Sequence, residues 1–492
     1  MKFFRRSFAL STKTWWMVPV MGIGVCALFL GLSASMAGIG FPLDDAWIHQ
    51  TYARNLAVTG EWAFIPGQPS AGSTAPLWSF LLAAGYWINA GMPYGFTFVL
   101  GWLCLMVIAW AGQNLVWDWT GRGTVPWVGL FLAGEWHLVW AALSGMETLA
   151  LGCVVLLSFY FLSKENIRWL MIGVLVGLAL WIRPDGVTLL GPAFLVLGLS
   201  PQKLWTRMLR FFQFLAGFLI LTLPYLYFNR QLSGSIWPNT FYAKQAEYAA
   251  LLEQSIWVRV GQQFSLPLIG AGVFLLVGFC YCCIQAFRYR RWALAGMGLW
   301  FTGMALLYAL RLPVTYQHGR YLMPAMPVFF ILGWMGSIDL IRTIPLSRWR
   351  FILLRSWQLG TGLTWAGFLV LGARAYATDV AIVQTEMVAT AKWIEQNTQP
   401  GDLIAAHDIG AIGYFSHRRL IDLAGLVSPE IIPVLRNEEA LARTLDRMNV
   451  EWLVTFPGWY VELTKGKEVV FTTGGVYAPA AGGENMAVYR WK

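Results

Sequence analysis

Long apolar runs separated by short charged loops recur from residue 15 to about residue 372 of this chain. A helix needs about 17–25 predominantly apolar residues to cross a bilayer. The pattern predicts spans near 15–38, 97–117, 125–143, 149–163, 169–183, 187–201, 211–228, 264–285, 292–310, 321–341 and 353–373. Several of these are short and need neighbouring helices or flanking anchors. Residues 76–91 form one further apolar run. Counting it as a span would invert every later loop, so it is predicted to lie in or partly enter the membrane interface, with Trp78, Tyr86 and Trp87 at that level.

Past residue 374 the pattern becomes that of a water-soluble chain. An amphipathic helix over 380–397 (Val383, Met387, Ala391, Ile394) stops at Pro400-Gly401. Short apolar runs at Leu403-Ile-Ala-Ala and Trp452-Leu-Val-Thr-Phe flank a helix near 437–448. This is β-α-β punctuation. The predicted fold is an all-α polytopic membrane bundle of about eleven helices over 1–373, followed by a small extracytoplasmic α/β domain over 374–492.

Composition agrees: 57% of residues are hydrophobic, only 12% are charged, and mean hydropathy is +0.56. The net charge of +10 does not point to nucleic acid, because the basic residues are dispersed among the short loops. They are Lys2, Arg5, Arg6 and Lys13; Arg122; Lys164 and Arg168; Lys203, Arg207 and Arg210; Arg288, Arg290 and Arg291; and Arg342, Arg348, Arg350 and Arg355. The positive-inside rule puts them all in the cytoplasm, with the N-terminus inside and the C-terminus outside a multi-pass cell-membrane protein. Ser35-Met36-Ala37 has the small residues of a signal-peptidase site, but the preceding apolar run is long for a signal, so a retained first helix is expected. The six cysteines fall in or beside apolar runs and show neither zinc spacing nor a disulfide framework.

With this topology Asp44, Asp45, Glu61, Glu147, Asp185 and Glu247 all face out. The first outer loop, about 39–96, is long and rich in turns, which marks functional loops. Asp44 and Asp45 stand where the chain leaves the first span. Acids at that depth are functional candidates; the alternative is a helix N-cap followed by a first-turn acid. On the helix predicted over 45–58, Asp45 and His49 share a face. That pair suits a metal less well than it suits a hydrogen-bonded histidine. Glu135 lies mid-span beside His137 and is predicted to bond it or a neighbouring helix, with no functional role.

The run Leu43-Asp-Asp-Ala-Trp-Ile-His-Gln through Ala75-Pro-Leu-Trp78 resembles the first outer loop of GT-C-type membrane glycosyltransferases. The subset it most resembles is the bacterial group that includes mycobacterial arabinofuranosyltransferases. Further matches follow in order: Ser144-Gly-Met-Glu-Thr148, Arg183-Pro-Asp-Gly186, Pro238-Asn-Thr-Phe-Tyr-Ala-Lys244, Arg320-Tyr-Leu-Met-Pro324 and His407-Asp-Ile-Gly-Ala-Ile-Gly-Tyr-Phe415. Ile65 departs from the Asn often found before the Pro-Gly of that loop.

The resemblance implies an active site at the outer interface. There a hexose or pentose passes from a polyprenyl-phosphate donor to a cell-envelope glycan, lipid or protein acceptor, with inversion. It implies Asp44 as general base, Asp45 in support and Glu147 as a second acid. The chemistry agrees: a sugar hydroxyl attacking an anomeric carbon needs a carboxylate to take its proton, and the oxocarbenium-like transition state favours nearby negative charge. The lipid phosphate leaving group needs cations. Arg320, His318, Arg183, Lys244 and Arg311 are available, with Arg320 preferred because Gln317-His-Gly-Arg-Tyr opens a span, and with Arg183 equally suited to pairing Asp185. His49, Asp185, His407 and Asp408 are candidate substrate contacts, although a structural His407–Asp408 turn fits as well. Two Asp and a Glu serve with or without a divalent cation such as Mg or Mn, which Asp44 and Asp45 would hold. The competing class is a transporter or flippase of lipid-linked sugars. The chain shows neither an internal repeat nor mid-bilayer charges in the pattern of such carriers.

Overall fold

The computed structural model describes residues 14–89, 93–121, 123–345 and 347–492. Lys2, Arg5, Arg6, Lys13 and Arg122 of the basic clusters, and Ala90 and Gly91 of the predicted interface segment, lie outside these residues. Seven described helices are long and apolar enough to cross a membrane: Met17–Met36, Pro93–Thr120, Leu204–Ser233, Ala271–Arg288, Trp292–Arg311, Tyr316–Thr343 and Arg348–Asn397. Shorter apolar helices at Thr148–Leu162, Trp169–Ile182 and Pro184–Leu199 fill the remaining predicted positions. Short helices pack because small residues let backbones approach. Gly173 faces the carbonyl of Phe214 and Gly217 faces that of Leu170, each so closely that a Cβ would collide with it.

Three sequence expectations change. The run 125–143 is two helices, Trp127–Ala133 and Trp136–Ala142, broken at Gly134-Glu135. Glu135 explains the break: its carboxylate caps the second helix through the Leu138 amide (3.2 Å) and binds His137 Nδ1 (2.9 Å). The segment 76–91 is a helix, Pro76–Ile88, packed on Asp45–Thr59. Of its aromatic residues only Trp87 is exposed. Trp78 is buried and donates to the Gly145 carbonyl, and Tyr86 is buried and donates to Gln50 Oε1, so these two pack the protein rather than anchor it in lipid. Finally, the chain is helical across 373/374: one 50-residue helix runs from Arg348 to Asn397. A π-helical turn at Gln384–Val388 interrupts its regular pitch. There the fully buried Glu386 accepts hydrogen bonds from Thr473, Asn485 and the Met486 amide. The span is thereby bonded directly to the C-terminal sheet.

The ends of the bundle differ in chemistry. At one end Asp118 pairs with Lys164, Arg291 lies over Trp119, and Asp339 and Arg342 meet Trp119 and Thr120. The other end carries the C-terminal domain and the candidate site. The first loop contributes a small antiparallel pair, β1 (Ala63–Ile65) with β2 (Gln68–Pro69). The C-terminal domain has a five-stranded sheet of β3 (Leu403–Ala406), β4 (Arg419–Asp422), β5 (Trp452–Thr455), β6 (Glu468–Thr472) and β7 (Ala487–Arg490). Their order is β4-β3-β5-β7-β6. Strands β4, β3 and β5 are parallel, while β7 is antiparallel to both β5 and β6. Because β3 lies between β4 and β5, the loops leaving the carboxyl ends of all three open toward one crevice. That crevice faces the bundle.

Candidate active site

Asp44 and Asp45 begin the Asp45–Thr59 helix, which Trp47 holds in place. This fully buried ring packs against Phe41, Tyr94, Tyr414 and Phe415, so the first loop, the bundle and the C-terminal domain meet on one side chain. From that anchored turn the two carboxylates go to different partners.

Asp44 makes no capping bond to its own helix. It caps another instead. Oδ2 accepts the Gly410 amide at 2.6 Å and Oδ1 the Ala411 amide at 2.8 Å, at the start of Ile409–Phe415. Glycine is required at 410, because a Cβ would lie 2.0 Å from the Asp44 carbonyl. Burial and the nearby Asp408 push the Asp44 carboxyl up from its ordinary range, and the two amides oppose them.

Asp45 binds Arg320 Nη2 at 2.7 Å and Lys244 Nζ at 3.2 Å. Burial resists its ionisation, but the two cations hold its carboxyl well below the usual carboxylate range. Arg320 is only 6% exposed, and its Nε and Nη1 have no hydrogen-bond partner among the described residues. Its other bond goes from Nη2 to the Tyr321 hydroxyl.

Two cavities meet at this cluster. The larger, about 1050 Å³, lies between the bundle and the C-terminal domain and receives Asp44, His407 and Asp408. The smaller, about 600 Å³, lies among the helices and receives His49, Glu147, Arg183, Asp185 and Arg311. Asp45, Lys244 and Arg320 line both. In the smaller cavity Arg183 binds Asp185 (3.1 Å) and the Tyr308 hydroxyl (2.7 Å), and stands 3.8 Å from Glu147. Its pairing with Asp185 is therefore real, and the guanidinium still borders the cavity. His49 joins Glu147 (3.3 Å) through Nε2 and Ser79 (3.0 Å) through Nδ1, well apart in function from Asp45 on the same helix face.

His318 departs from its expected place. It lies between Trp136 and Trp140, binds Asp379 at 2.8 Å and lines neither cavity. It stands at the start of the Arg320 span, where Gln317, His318 and Gly319 all take left-handed backbone angles. In the larger cavity His407 bonds the Tyr460 hydroxyl (2.7 Å) and stands 3.7 Å from Glu247. Burial lowers its proton affinity, but Glu247 and Asp408 outweigh burial and raise it. Burial raises the Asp408 carboxyl to about 6.

For a divalent cation the fit is poor. Among the described residues no three His, Cys, Asp or Glu side chains converge on one point, and Asp45 is already matched by two side-chain cations. Sequence reasoning missed Tyr308, Tyr321, Asp379, Trp459 and Glu484. Only Tyr321 falls within a quoted motif, Arg320-Tyr-Leu-Met-Pro324, and the place of all five follows from packing.

The fold has solved counterparts. ArnT from Cupriavidus metallidurans bound to undecaprenyl phosphate superposes with a TM-score of 0.61 at 14% identity, covering 98% of this chain and 99% of that one. An oligosaccharyltransferase from Archaeoglobus fulgidus in its apo form gives a TM-score of 0.60 at 11% identity, over 91% of this chain and 70% of that one. The same oligosaccharyltransferase in complex with Zn and sulfate gives 0.58 at 12% identity, over 89% and 68%. The fold is GT-C. Within this GT-C chain, residues 376–489 match a family described as a domain of unknown function, DUF8728. No curated protein matches the sequence. The GT-C fold is thus carried by three-dimensional arrangement at identities where sequence comparison is nearly blind.

Proposed function

We propose that this membrane protein is an inverting glycosyltransferase that moves a sugar from a polyprenyl-phosphate donor to an acceptor on the side of the membrane where the C-terminal domain lies. The observation that carries the reading is the buried Arg320, with two unpartnered N–H groups at the junction of the two cavities. A buried guanidinium with unused donors is costly unless an anion completes it, and a phosphate matches its fork. The undecaprenyl phosphate bound by the similar ArnT is such an anion. In this reading the donor occupies the smaller cavity, with its phosphate against Arg320 and Lys244 and with Arg183 and Arg311 beyond. Asp45 positions those two cations.

The acceptor hydroxyl enters from the larger cavity and attacks the anomeric carbon. The bond from that carbon to the phosphate oxygen breaks, and both its electrons leave with the polyprenyl phosphate. The hydroxyl proton goes to the Asp44–Asp408 pair, with Asp44 as the base. Burial and the neighbouring Asp408 raise the proton affinity of Asp44 toward the working range of a general base. Glu147 lines the smaller cavity and orients Arg183 and His49.

The decisive assay is release of free polyprenyl phosphate from a panel of labelled polyprenyl-phosphate hexoses and pentoses by the reconstituted protein. Release from one of them is expected and identifies the sugar. Turnover of none, with candidate acceptors present, would count against the proposal and bring transport of the intact donor to the front.

The pH profile is a second test. The groups facing Asp44 are Asp408, the Gly410 and Ala411 amides and Asp45. Only an ionised carboxylate takes the acceptor proton, so kcat/KM is expected to rise with pH along a limb displaced above the ordinary carboxylate range and level off beyond it. A profile flat from pH 5 to 8 would remove the carboxyl pair from the proton transfer.

A further inference from the structure

We infer that the larger cavity receives an uncharged carbohydrate and turns away an anionic one. This rests on the transferase reading and names the chemical class of its acceptor. The first ground is architecture. One wall of the cavity is made by the three loops that leave the carboxyl ends of parallel strands: His407 and Asp408 after β3, Ala424 and Leu426 after β4, and Trp459 and Tyr460 after β5. A crevice at the carboxyl edge of parallel strands, where the connections diverge to either side of β3, is where sheets of this kind hold ligands.

The second ground is charge. Six carboxyl side chains line the cavity, those of Asp44, Asp45, Glu247, Asp379, Asp408 and Glu484, against Lys244, Arg320 and His407. Both Lys244 and Arg320 are engaged by Asp45, at the inner end. Among the described lining residues the one other basic group is His407, which is already shared between Tyr460 and Glu247. In the transferase reading the donor phosphate takes the unpartnered Nε and Nη1 of Arg320, so a phosphorylated or uronic acid-bearing acceptor bound beside the donor would meet carboxylates with no remaining cation to match it. Carboxylates accept hydrogen bonds from sugar hydroxyls, and one oxygen of Asp408 has no partner among the described residues.

The third ground is a platform. Trp459 is 51% exposed on the cavity wall and stands edge-on to His407 and tilted to Phe456, with centroids 4.8 and 5.0 Å away. The neighbouring Gly458 amide is bonded to Glu484 at 2.6 Å, which braces the loop carrying the ring. A large aromatic ring held rigid beside hydrogen-bonding acids suits the apolar face of a pyranose or furanose.

The test uses the full-length protein in lipid nanodiscs saturated with undecaprenyl phosphate and a glycan array of matched pairs, each neutral oligosaccharide beside its phosphorylated or uronic acid counterpart. Neutral members should be retained and their anionic partners should bind at least about tenfold more weakly, the effect of unmatched like charge. Trp459→Ala should reduce neutral retention by about tenfold, as loss of a stacking contact does, and Trp459→Phe should keep most of it at an unchanged melting temperature. Asp408→Asn with Glu484→Gln should improve binding of the anionic members. Anionic glycans held as tightly as neutral ones, or no glycan held at all, would overturn the inference. A separate arm measures binding of labelled undecaprenyl phosphate by the wild type. Failure there strikes the transferase reading itself, whatever the array shows.

Discussion

Asp44→Asn is expected to abolish sugar transfer, by about 100-fold or more as removal of a general base does, and at the same time to loosen the C-terminal domain. Both effects come from one carboxylate. It faces the larger cavity, and it binds the Gly410 and Ala411 amides of a helix 366 and 367 residues further along the chain. An asparagine keeps one acceptor oxygen and turns an NH2 group toward the other amide. One hydrogen bond is lost and one donor is left facing a donor, a cost of about 1–3 kcal/mol. The melting temperature should therefore fall by a few degrees while the chain still assembles in the membrane.

Gly410→Ala separates the two roles. It leaves the carboxylate in place but forces a Cβ against the Asp44 backbone, so it should destabilise at least as much. If Gly410→Ala, purified at a temperature where it is folded, retains transfer while Asp44→Asn at equal folded fraction does not, the carboxylate acts in the reaction. Equal loss in both variants would mean that Asp44 serves only to dock the domain.

The second large effect is expected from Arg320→Gln. Removing the guanidinium should cut turnover of any polyprenyl-phosphate donor by about 100–1000-fold, the range seen when one charge-stabilising donor is deleted. The fold should tolerate the change, because Lys244 remains 3.2 Å from Asp45 and prevents a lone buried carboxylate. Binding of undecaprenyl phosphate, read directly by displacement of a labelled lipid, should weaken in parallel. Arg320→Lys restores the charge but not the fork, and should recover only part of the loss. Unchanged lipid affinity in Arg320→Gln would show that the unpartnered N–H groups serve something other than the donor phosphate.

Much of this protein was legible in its sequence because the membrane imposes simple rules. Apolar runs announce helices, and basic loops sort together; Lys164, Arg291 and Arg342 do gather at the end away from the C-terminal domain. The β-α-β punctuation after residue 400 became β3, a helix and β4, with a second helix leading to β5. What escaped were features set by specific side-chain contacts, most of them between distant residues. The break at Glu135 depends on whether a carboxylate finds an amide three residues on. The burial of Trp78 and Tyr86 depends on which helices surround them. The continuity of Arg348–Asn397 crosses a composition change that suggested a boundary, because the helix continues from the bundle into the soluble domain and Glu386 bonds it to the sheet.

The acids illustrate the division most clearly. The chain alone marks Asp44 and Asp45 as a pair worth explaining, because two carboxylates at a membrane boundary require partners. Composition and periodicity likewise determine a polytopic helical bundle with a small α/β domain after it, since those signals are local and repeat every few residues. Only the tertiary structure decides that the neighbours part company, Asp44 to a helix N-terminus in the C-terminal domain and Asp45 to Lys244 and Arg320. Only packing makes two cavities that meet at one guanidinium. A partner hundreds of residues away leaves no periodicity in the sequence. It becomes visible when the backbone brings donor and acceptor to hydrogen-bonding distance in a place that water has left.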